Sequence, residues 1–534
     1  MPEAVRSCGA FDYIVVGAGS AGCLLAARLS EDPEIAVLLI EAGTKSDGLM
    51  VRMPAGSFKL MGNRAVDWCY SVEPDESRAG RRQLWSAGRM MGGSSAINGM
   101  VYIRGQKSDY DGWAADGCPG WSAAEIWPYF NKFERRRDDA ESKLGGLVVS
   151  PSRTIHPVAN AFVEACGQIG LRRRDYYGEG DLDGAFLSLS TIDKGKRCSA
   201  ENAFLHPVRY RKNLTVLTGR HVERIDFEGR RATGVTVRHS GVCESYVARG
   251  EVLVSAGAIG SPILLQRSGI GPAADLSPLG IEVVADLPVG NNLHEHASVQ
   301  VSKLVNHPTY NSPLGPIRMA RYLAEYLAQK RGPMTSPAVQ AMAFGKSAPE
   351  LRVPDICISF LPLALNFKTA PPKLHDQPGI TLAGKICQPF SRGRVMIRDR
   401  EPETPPRIDY RMLEDERDVA GLIATGRLCE AIFAAPALSK FVVGANLPAA
   451  PLKTDDEWRD YLRDWLGIGF HPVGSCRMGE AGKGVVDPAL KVHGIEGLRV
   501  VDASIMPRIT SGNTNAPTFM IAEKAAAMIL QSRK

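Results

Sequence analysis

The segment Phe11–Gly22, FDYIVVGAGSAG, places an apolar run directly before three glycines spaced as Gly-x-Gly-x-x-Gly. Gly17 permits a sharp turn after a strand, Gly19 lets backbone amides approach a pyrophosphate, and Gly22 lets the following helix lie close on the sheet. A second apolar run ends at Glu41, where a carboxylate accepts hydrogen bonds from an adenosine ribose and disfavours a 2′-phosphate. The pattern predicts a dinucleotide site that does not take NADP, and it leaves FAD and NAD both open.

The length and charge of the chain limit its organisation and its partners. A chain of 534 residues is too long for one small core and indicates two or more domains. The formal net charge of +6 is spread over the whole length, and a basic run such as Arg172-Arg173-Arg174 is not interleaved with aromatic residues that stack on bases. We therefore expect no nucleic-acid partner.

The cysteines and the apolar segments bear on localisation. Eleven cysteines are scattered without a Cys-x-x-Cys pair, which favours reduced thiols and argues against a disulfide framework or a zinc site. The residues before Phe11 lack the apolar core of a signal peptide, and no apolar stretch approaches the ~18 residues of a membrane span. We expect a cytoplasmic protein without a transmembrane segment, and peripheral membrane association stays open.

Four further segments carry dense clusters of small and polar residues. They are Gly88–Asn98 (GRMMGGSSAIN), Gly257–Gly271 (GAIGSPILLQRSGIG), His471–Gly479 (HPVGSCRMG) and Asp502–Thr518 (DASIMPRITSGNTNAPT). Together with the N-terminal motif, in this order and at these spacings, they resemble the glucose-methanol-choline (GMC) family of FAD-dependent oxidoreductases over nearly the whole chain. The nearest likeness is to its bacterial choline-dehydrogenase-like alcohol dehydrogenases, and the substrate does not follow from that likeness.

The resemblance implies an α/β fold with two domains. One is a discontinuous Rossmann-like FAD-binding domain, and the other is an α+β substrate domain whose antiparallel sheet is covered by helices. We assign residues 7–155, 214–295 and 467–534 to the FAD-binding domain, and residues 156–213 and 296–466 to the substrate-binding domain.

The same motifs imply the residues that hold FAD. The small residues of Gly92–Ser95 offer backbone donors beside a flat ring system. In some family members a histidine just before the residue that matches Asn98 is attached to the flavin; here that position is Ile97, so we expect non-covalent FAD. The predicted FAD-binding residues are Gly17, Gly19, Ser20, Ala21, Gly22, Glu41, Ala42, Arg89, Gly92, Gly93, Ser94, Asn98, Gly99, Val222, Ala256, Gly257, Asp502, Ala503, Asn515, Pro517 and Thr518.

His471 is the predicted catalytic base. Alcohol oxidation by hydride transfer needs an acceptor for the hydroxyl proton, and the ordinary histidine pKa of ~6.5 suits that task. The resemblance places the matching histidine over the flavin and pairs it with a second polar residue, matched here by Asn515, whose amide donates to the alcohol oxygen. Many relatives carry a second histidine there, so His471 is expected to be the only base. His294-x-His296 lacks a third cluster of ligands, and we expect no metal.

These inferences predict an FAD-dependent alcohol dehydrogenase or oxidase. A primary alcohol gives its hydroxyl proton to His471 and a hydride to flavin N5, an aldehyde leaves, and a quinone-type acceptor or O2 reoxidises the cofactor. The alternatives are a lyase of the same family that uses FAD without net redox change, a non-catalytic flavoprotein and, more weakly, an NAD-linked dehydrogenase. The alcohol, the acceptor and the oligomeric state are not defined by the sequence.

Overall fold

The computed structural model describes residues 6–136, 146–175, 178–312, 315–366 and 373–533. Two seven-stranded sheets form its framework. In chain order, their strands are β1 (Arg6–Val16), β2 (Val37–Glu41), β3 (Gly184–Leu187), β4 (Leu214–Thr218), β5 (His221–Glu228), β6 (Arg231–His239), β7 (Val242–Val254), β8 (Ala297–Val305), β9 (Ala341–Gly345), β10 (Ile356–Leu361), β11 (Gly379–Ile386), β12 (Val442–Leu447), β13 (Gly467–Ile468) and β14 (Leu498–Val500).

Nine longer helices within the described residues connect or cover these strands. They are α1 (Ser20–Leu29), α2 (Lys107–Ala115), α3 (Ala123–Phe133), α4 (Pro157–Gln168), α5 (Gly257–Arg267), α6 (Pro316–Gln329), α7 (Glu416–Ala434), α8 (Asp455–Trp465) and α9 (Asn515–Ser532). Single helical turns include Leu49–Arg52, Ser57–Leu60, Ala273–Leu276 and Pro436–Ser439. No helix in the described part of the chain is long and apolar enough to cross a membrane.

The first sheet has the strand order β4-β2-β1-β7-β6-β5, with β14 paired to β7. Strand β1 runs parallel to β2 and β7, and β2 runs parallel to β4. Ile14 and Val15 in this central strand are fully buried, as expected for a parallel strand covered on both faces. Helix α1 follows β1 after a three-residue turn, and the predicted Rossmann-like unit is confirmed.

The second sheet is antiparallel throughout, with the order β12-β8-β11-β10-β9-β3 and β13 paired to β8. Residues alternate between its two faces. One face carries apolar side chains such as Val299, Ile358 and Leu382, which join one core cluster with residues of α4 and α7. The predicted antiparallel sheet covered by helices is therefore confirmed. The opposite face carries buried polar side chains, among them Ser298 and Lys385.

The two sheets draw on different parts of the chain. The strands of the first sheet come from residues 6–41, 214–254 and 498–500, while the second sheet uses residues 184–187, 297–447 and 467–468. Strand β13 belongs to the second sheet although it lies in residues 467–534, which are assigned to the FAD-binding domain, and β1 begins at Arg6, one residue before that assignment starts. The domain boundaries themselves stay a prediction.

Candidate active site

The glycines after β1 form a tight turn that leaves space at one side. Gly17 has a φ of +99°, and a Cβ placed on it would lie 2.6 Å from the carbonyl oxygen of Ser255. A Cβ on Gly22 would lie 1.9 Å from the carbonyl oxygen of Gly17, so α1 packs against the turn too closely for any side chain there. At Gly19 the space is open, with no described atom within 4 Å of such a Cβ. An anion can therefore approach the N-terminus of α1 at Gly19.

A second glycine turn packs directly on the first. A Cβ on Gly93, where φ is +51°, would lie 2.7 Å from the Cα of Gly19. Gly99 and Gly257 resemble Gly19 in having no described atom within 4 Å of an added Cβ. These turns together form a glycine cradle, defined here by Gly17, Gly19, Gly93, Gly99 and Gly257. Its close backbone packing and the open space at three of its glycines fit a dinucleotide such as FAD.

Two buried carboxyl groups lie at the ends of strands in the first sheet. Glu41 at the end of β2 accepts hydrogen bonds from the backbone N–H groups of Ala18 (2.9 Å) and Gly43 (2.8 Å). Burial raises the pKa of Glu41 to about 7, although these hydrogen bonds and Arg89 act in the opposite direction. A carboxylate has more acceptor sites than these two bonds use, so Glu41 can still accept from a ribose.

Asp502 follows β14 and ties that strand to α5. Its carboxylate accepts from the backbone N–H of Gly257 (2.8 Å), the backbone N–H of Ser504 (2.8 Å) and the hydroxyl of Ser261. Burial raises the pKa of Asp502, against the effect of these hydrogen bonds. The carboxyl group thereby fixes the position of Gly257 in the glycine cradle.

The other predicted FAD-binding residues lie mainly at the ends of strands of the first sheet and at the N-terminal ends of helices that follow these strands. Arg89 lies over the ring of Trp68, with its guanidinium carbon 4.7 Å from the ring centroid. The remaining positions are Ser20 and Ala21 in α1, Ala42 after β2, Gly92 and Ser94 in the second glycine turn, Asn98 after it, Val222 in β5, Ala256 before α5, Ala503 after β14, and Pro517 and Thr518 in α9.

Arg197 is a residue that the sequence analysis missed. Its guanidinium is buried and donates to the carbonyl oxygens of Val51 (3.0 Å), Ser95 (3.2 Å) and Asn98 (2.7 Å), and to the hydroxyl of Ser57 (2.6 Å). Burial lowers the pKa of Arg197 to about 9. The side chain joins the segment around residues 51–57 to the second glycine turn, and no recognised motif around it pointed to this role.

The backbone of His471 is held by a buried glutamate. Its N–H donates to both carboxyl oxygens of Glu295, at 2.9 and 2.8 Å, and the N–H of His296 donates to the same carboxyl group at 2.8 Å. Burial raises the pKa of Glu295 to about 8, although the hydrogen bonds and Lys385 oppose this shift. Glu295 thus holds the backbone of His296 next to the backbone of His471.

The side chains of His471 and His296 form one hydrogen-bonded chain. Their Nδ1 atoms lie 3.0 Å apart, and the two rings are nearly perpendicular, with an interplanar angle of 88°. Nε2 of His296 lies 2.9 Å from the carbonyl oxygen of Cys387, and Nε2 of His471 lies 2.8 Å from Nδ2 of Asn513.

The carbonyl oxygen of Cys387 sets the proton positions along this chain. A carbonyl only accepts, so Nε2 of His296 carries a hydrogen, and Nδ1 of the neutral ring is an acceptor. Nδ1 of His471 must then donate to it, which leaves Nε2 of His471 as an acceptor. This assignment also agrees with donation from the amide Nδ2 of Asn513. The result is an imidazole with its lone pair fixed at Nε2.

The electrostatic environment keeps both rings neutral. Burial is the largest cause of a pKa of His471 well below its ordinary value and of a pKa of about 3 for His296. The positive charge of Lys385 acts in the same direction on both rings. His471 is 7% exposed, so the Nε2 lone pair, which accepts from Asn513, belongs to a base that is shielded from bulk solvent.

The amide beside His471 is not the predicted one. The sequence motif predicts Asn515 as the partner of His471, whereas the structure brings Asn513 to Nε2 of His471. Asn515 begins α9, and its Oδ1 accepts a hydrogen bond from the hydroxyl of Ser20 at 2.7 Å. The spacing of the motif cannot show which asparagine contacts His471, because the two are only two residues apart. Asn513 lies in the loop before α9, and Asn515 is the first residue of that helix. The contact with Ser20 suits the other predicted role of Asn515, which is cofactor binding.

The second histidine of the site also lay outside the prediction. His296 belongs to the His-x-His pair that was considered only as a metal ligand, and the described residues contain no group of three side chains that could hold a metal ion. The ring that supports His471 thus comes from the segment just before β8, 175 positions away in the sequence.

Comparison with known proteins identifies the family of the chain. Two family models, both described as GMC oxidoreductase, match residues 11–298 and 389–522. The chain is 38% identical to an oxygen-dependent choline dehydrogenase of Brucella melitensis, covering 97% of this chain and 95% of that protein. It is 37% identical to an alcohol dehydrogenase [acceptor] of Pseudomonas putida, over 98% and 96% of the two chains.

A solved structure gives the same result for the fold. The crystal structure of pyridoxine 4-oxidase from Mesorbium loti superposes with a TM-score of 0.88 at 31% sequence identity, covering 98% of this chain and 99% of the other. The family models and the full-length relatives together cover the glycine cradle, His471 and both sheets. The chain therefore belongs to the GMC oxidoreductases, a family of FAD-dependent oxidoreductases that act on CH–OH donors.

Proposed function

We propose that this protein oxidises a primary alcohol to an aldehyde, with FAD held non-covalently in the glycine cradle. The observation that carries the proposal is the fixed acceptor lone pair on Nε2 of His471. A neutral, buried imidazole with its proton held at Nδ1 is suited to remove a hydroxyl proton. The names of the relatives, a choline dehydrogenase and an alcohol dehydrogenase, support alcohols as the substrate class.

His471 takes the hydroxyl proton at Nε2 in this mechanism. The Nδ2 group of Asn513, which donates to Nε2 at 2.8 Å, turns to the alcohol oxygen and stabilises the negative charge that develops there. The proton uptake makes His471 cationic, and its Nδ1–H then donates a charge-assisted hydrogen bond to His296. When bound, FAD supplies the two-electron acceptor that receives the hydride.

The residues around the glycine cradle support non-covalent binding. Ile97 is buried and lies at the end of the second glycine turn, where its aliphatic side chain offers no nucleophile to the cofactor. Glu41 and the N-terminus of α1 would hold the adenosine and pyrophosphate by hydrogen bonds alone. Asn515 supports the same turn through Ser20.

The reduced cofactor must be reoxidised by a second substrate before another alcohol can react. We propose a quinone-type acceptor or O2 as the second substrate, and a cytoplasmic location. All eleven cysteines are free thiols in the structure, which supports a reducing compartment.

The experiment is an anaerobic screen of alcohols against the absorbance of oxidised flavin in the purified protein. Bleaching by at least one primary alcohol, with the aldehyde as product, is expected. A failure of every alcohol to bleach the flavin, combined with release of cyanide from a cyanohydrin, would replace the proposal with a lyase function.

A further inference from the structure

Lys385 lies on the polar face of the second sheet. It stands in β11, in register with Ser298 on β8 and Cys357 on β10. Residues directly opposite each other in antiparallel strands point to the same face, and the neighbours Ile380 and Leu382 on β11 point to the other face, toward α7. Lys385 is only 5% exposed, so most of its side chain lies inside the protein, on the side of the sheet away from the helices.

The ammonium group has no partner within the described part of the chain. It forms no hydrogen bond and no ion pair with any described residue. Glu295 lies within electrostatic reach of Lys385, but its oxygens accept backbone N–H groups from His296 and His471. The N–H donors of this ammonium group are therefore available to an anionic group of a ligand.

Lys303 is a second lysine of the same sheet, and it forms an ion pair. It lies on β8, on the helix-covered face, and its Nζ pairs with Glu430 of α7 at 2.8 Å. The two lysines therefore differ in both face and partner. Lys303 is paired with a carboxylate, whereas no described residue pairs with Lys385.

Lys385 lies close to His296 in the fold. It stands in register with Ser298, two residues after His296. The carbonyl oxygen of Cys387, two residues after Lys385, lies 2.9 Å from Nε2 of His296. The positive charge of Lys385 also acts to lower the pKa of both His471 and His296. A ligand that gives its hydroxyl to His471 thus extends into a site that already holds one unpaired positive charge.

We propose that Lys385 selects the substrate by binding a carboxylate, or another anionic oxygen group, of an alcohol whose hydroxyl lies at His471. This inference rests on the proposed function and names its substrate class as hydroxy acids. An alcohol with a quaternary ammonium group would meet a like charge in the same site. We therefore infer a preference opposite to choline, although one relative is named an oxygen-dependent choline dehydrogenase.

The kinetic test compares alcohols that differ only in charge. Anaerobic flavin reduction is followed with ω-hydroxycarboxylates from glycolate to 6-hydroxyhexanoate, with their primary amides, and with choline. We expect the parent to prefer a carboxylate over its amide. Lys385→Met should lower the ratio of kcat/KM for that carboxylate to kcat/KM for its amide by at least ~10-fold, from the strength of hydrogen bonds to charged groups. A change common to both substrates reports the loss of a positive charge near His471. Lys385→Arg should keep part of the preference, and Lys303→Met should keep all of it.

Binding without turnover gives a second readout. Saturated carboxylates from acetate to hexanoate, which lack the hydroxyl, are titrated calorimetrically into the oxidised holoenzyme and into the Lys385→Met and Lys303→Met variants. We expect binding by the parent and by Lys303→Met, and a loss of at least ~10-fold in affinity for Lys385→Met.

The outcomes separate the two proposals. Equal effects of Lys385→Met on carboxylate and amide, with no carboxylate binding by the parent, would show that Lys385 only balances Glu295, and would overturn the inference while leaving alcohol oxidation intact. Binding of a carboxylate that depends on Lys385, without flavin reduction by any alcohol, would support the anion site and contradict the proposed function.

Discussion

The Nδ1 atoms of His471 and His296 lie 3.0 Å apart, so a single hydrogen joins the two rings. Because Nε2 of His296 is committed to the carbonyl oxygen of Cys387, that hydrogen belongs to His471. The acceptor lone pair of His471 is therefore at Nε2, on the side away from His296, where it accepts from Asn513. A base prepared in this way does not need to change its tautomer before it accepts a proton.

The neutral histidine pair has a consequence for stability. The folded protein keeps His296 unprotonated down to a pH of about 3, whereas the unfolded chain takes up the proton near pH ~6.5. The unfolded state therefore binds more protons in this window, and stability falls as the pH falls through it. We expect His296→Gln to flatten this fall, measured as the thermal midpoint of the holoprotein between pH ~5 and ~8.

Glu295 changes the stability of the folded protein with pH in the opposite direction to His296. Its pKa of about 8 in the folded protein exceeds the ordinary value of ~4.3, so its contribution falls as the pH rises between these values. His296→Gln leaves Glu295 in place, and the difference between the two curves isolates the histidine. Parallel curves for the parent and the variant would contradict a neutral buried His296.

Asn513 and Asn515 form a matched pair for a second prediction. Asn513→Ala removes the amide at Nε2 of His471 and should slow flavin reduction by at least ~10-fold without reducing FAD content. Asn515→Ala removes the acceptor for Ser20 and should weaken FAD retention, with little effect on molecules that keep FAD. Stopped-flow reduction and FAD content are measured on both. If flavin reduction by the fully FAD-loaded Asn515→Ala variant is slower than by Asn513→Ala, the two roles are reversed.

FAD is expected to leave the polypeptide on denaturation. Ile97 is the residue at the position of the covalent link in some relatives, and it cannot form one. Acid precipitation of the yellow protein should leave the flavin absorbance in the supernatant. Flavin that stays with the washed precipitate would exclude non-covalent binding.

Glu41→Ala should weaken FAD binding and leave the reduction rate of loaded molecules nearly unchanged. The loss expected is about 1 to 3 kcal/mol, the range for a buried polar group that loses its partner. Glu244→Ala is the control, because Glu244 is buried in the same sheet but pairs with Arg220 and stands in register with Arg6 at the other end of β1. FAD titration of the apoprotein measures the affinity, and an equal effect of both variants would remove Glu41 from the cofactor site.

The parts of this account that the sequence predicted are local in the chain. The turn from Gly17 to Gly22 and the acid at Glu41 form one continuous unit, so their spacing alone predicts their geometry. His471 was predicted because it opens a compact motif. The fold class was predicted because several such motifs occur in a fixed order.

The parts that were missed depend on contacts between distant segments. His296 reaches His471 only because Glu295 holds both backbones, and a His-x-His spacing carries no sign of that. Asn513 and Asn515 differ only in the direction that the loop gives each side chain. Lys385 lies in an ordinary strand, and the role proposed for it depends on its register with Ser298 beside the histidine pair, which only the three-dimensional arrangement shows.

The most direct test of the central claim is anaerobic stopped-flow reduction of FAD-loaded His471→Ala and its parent across pH. We expect the parent rate to rise with pH in the acid range, where His471 loses its proton, because burial holds its pKa well below the ordinary value. The variant should be at least ~100-fold slower and should lose that rise, since a positioned general base is gone. A variant within a few-fold of the parent at every pH would show that His471 is not the base.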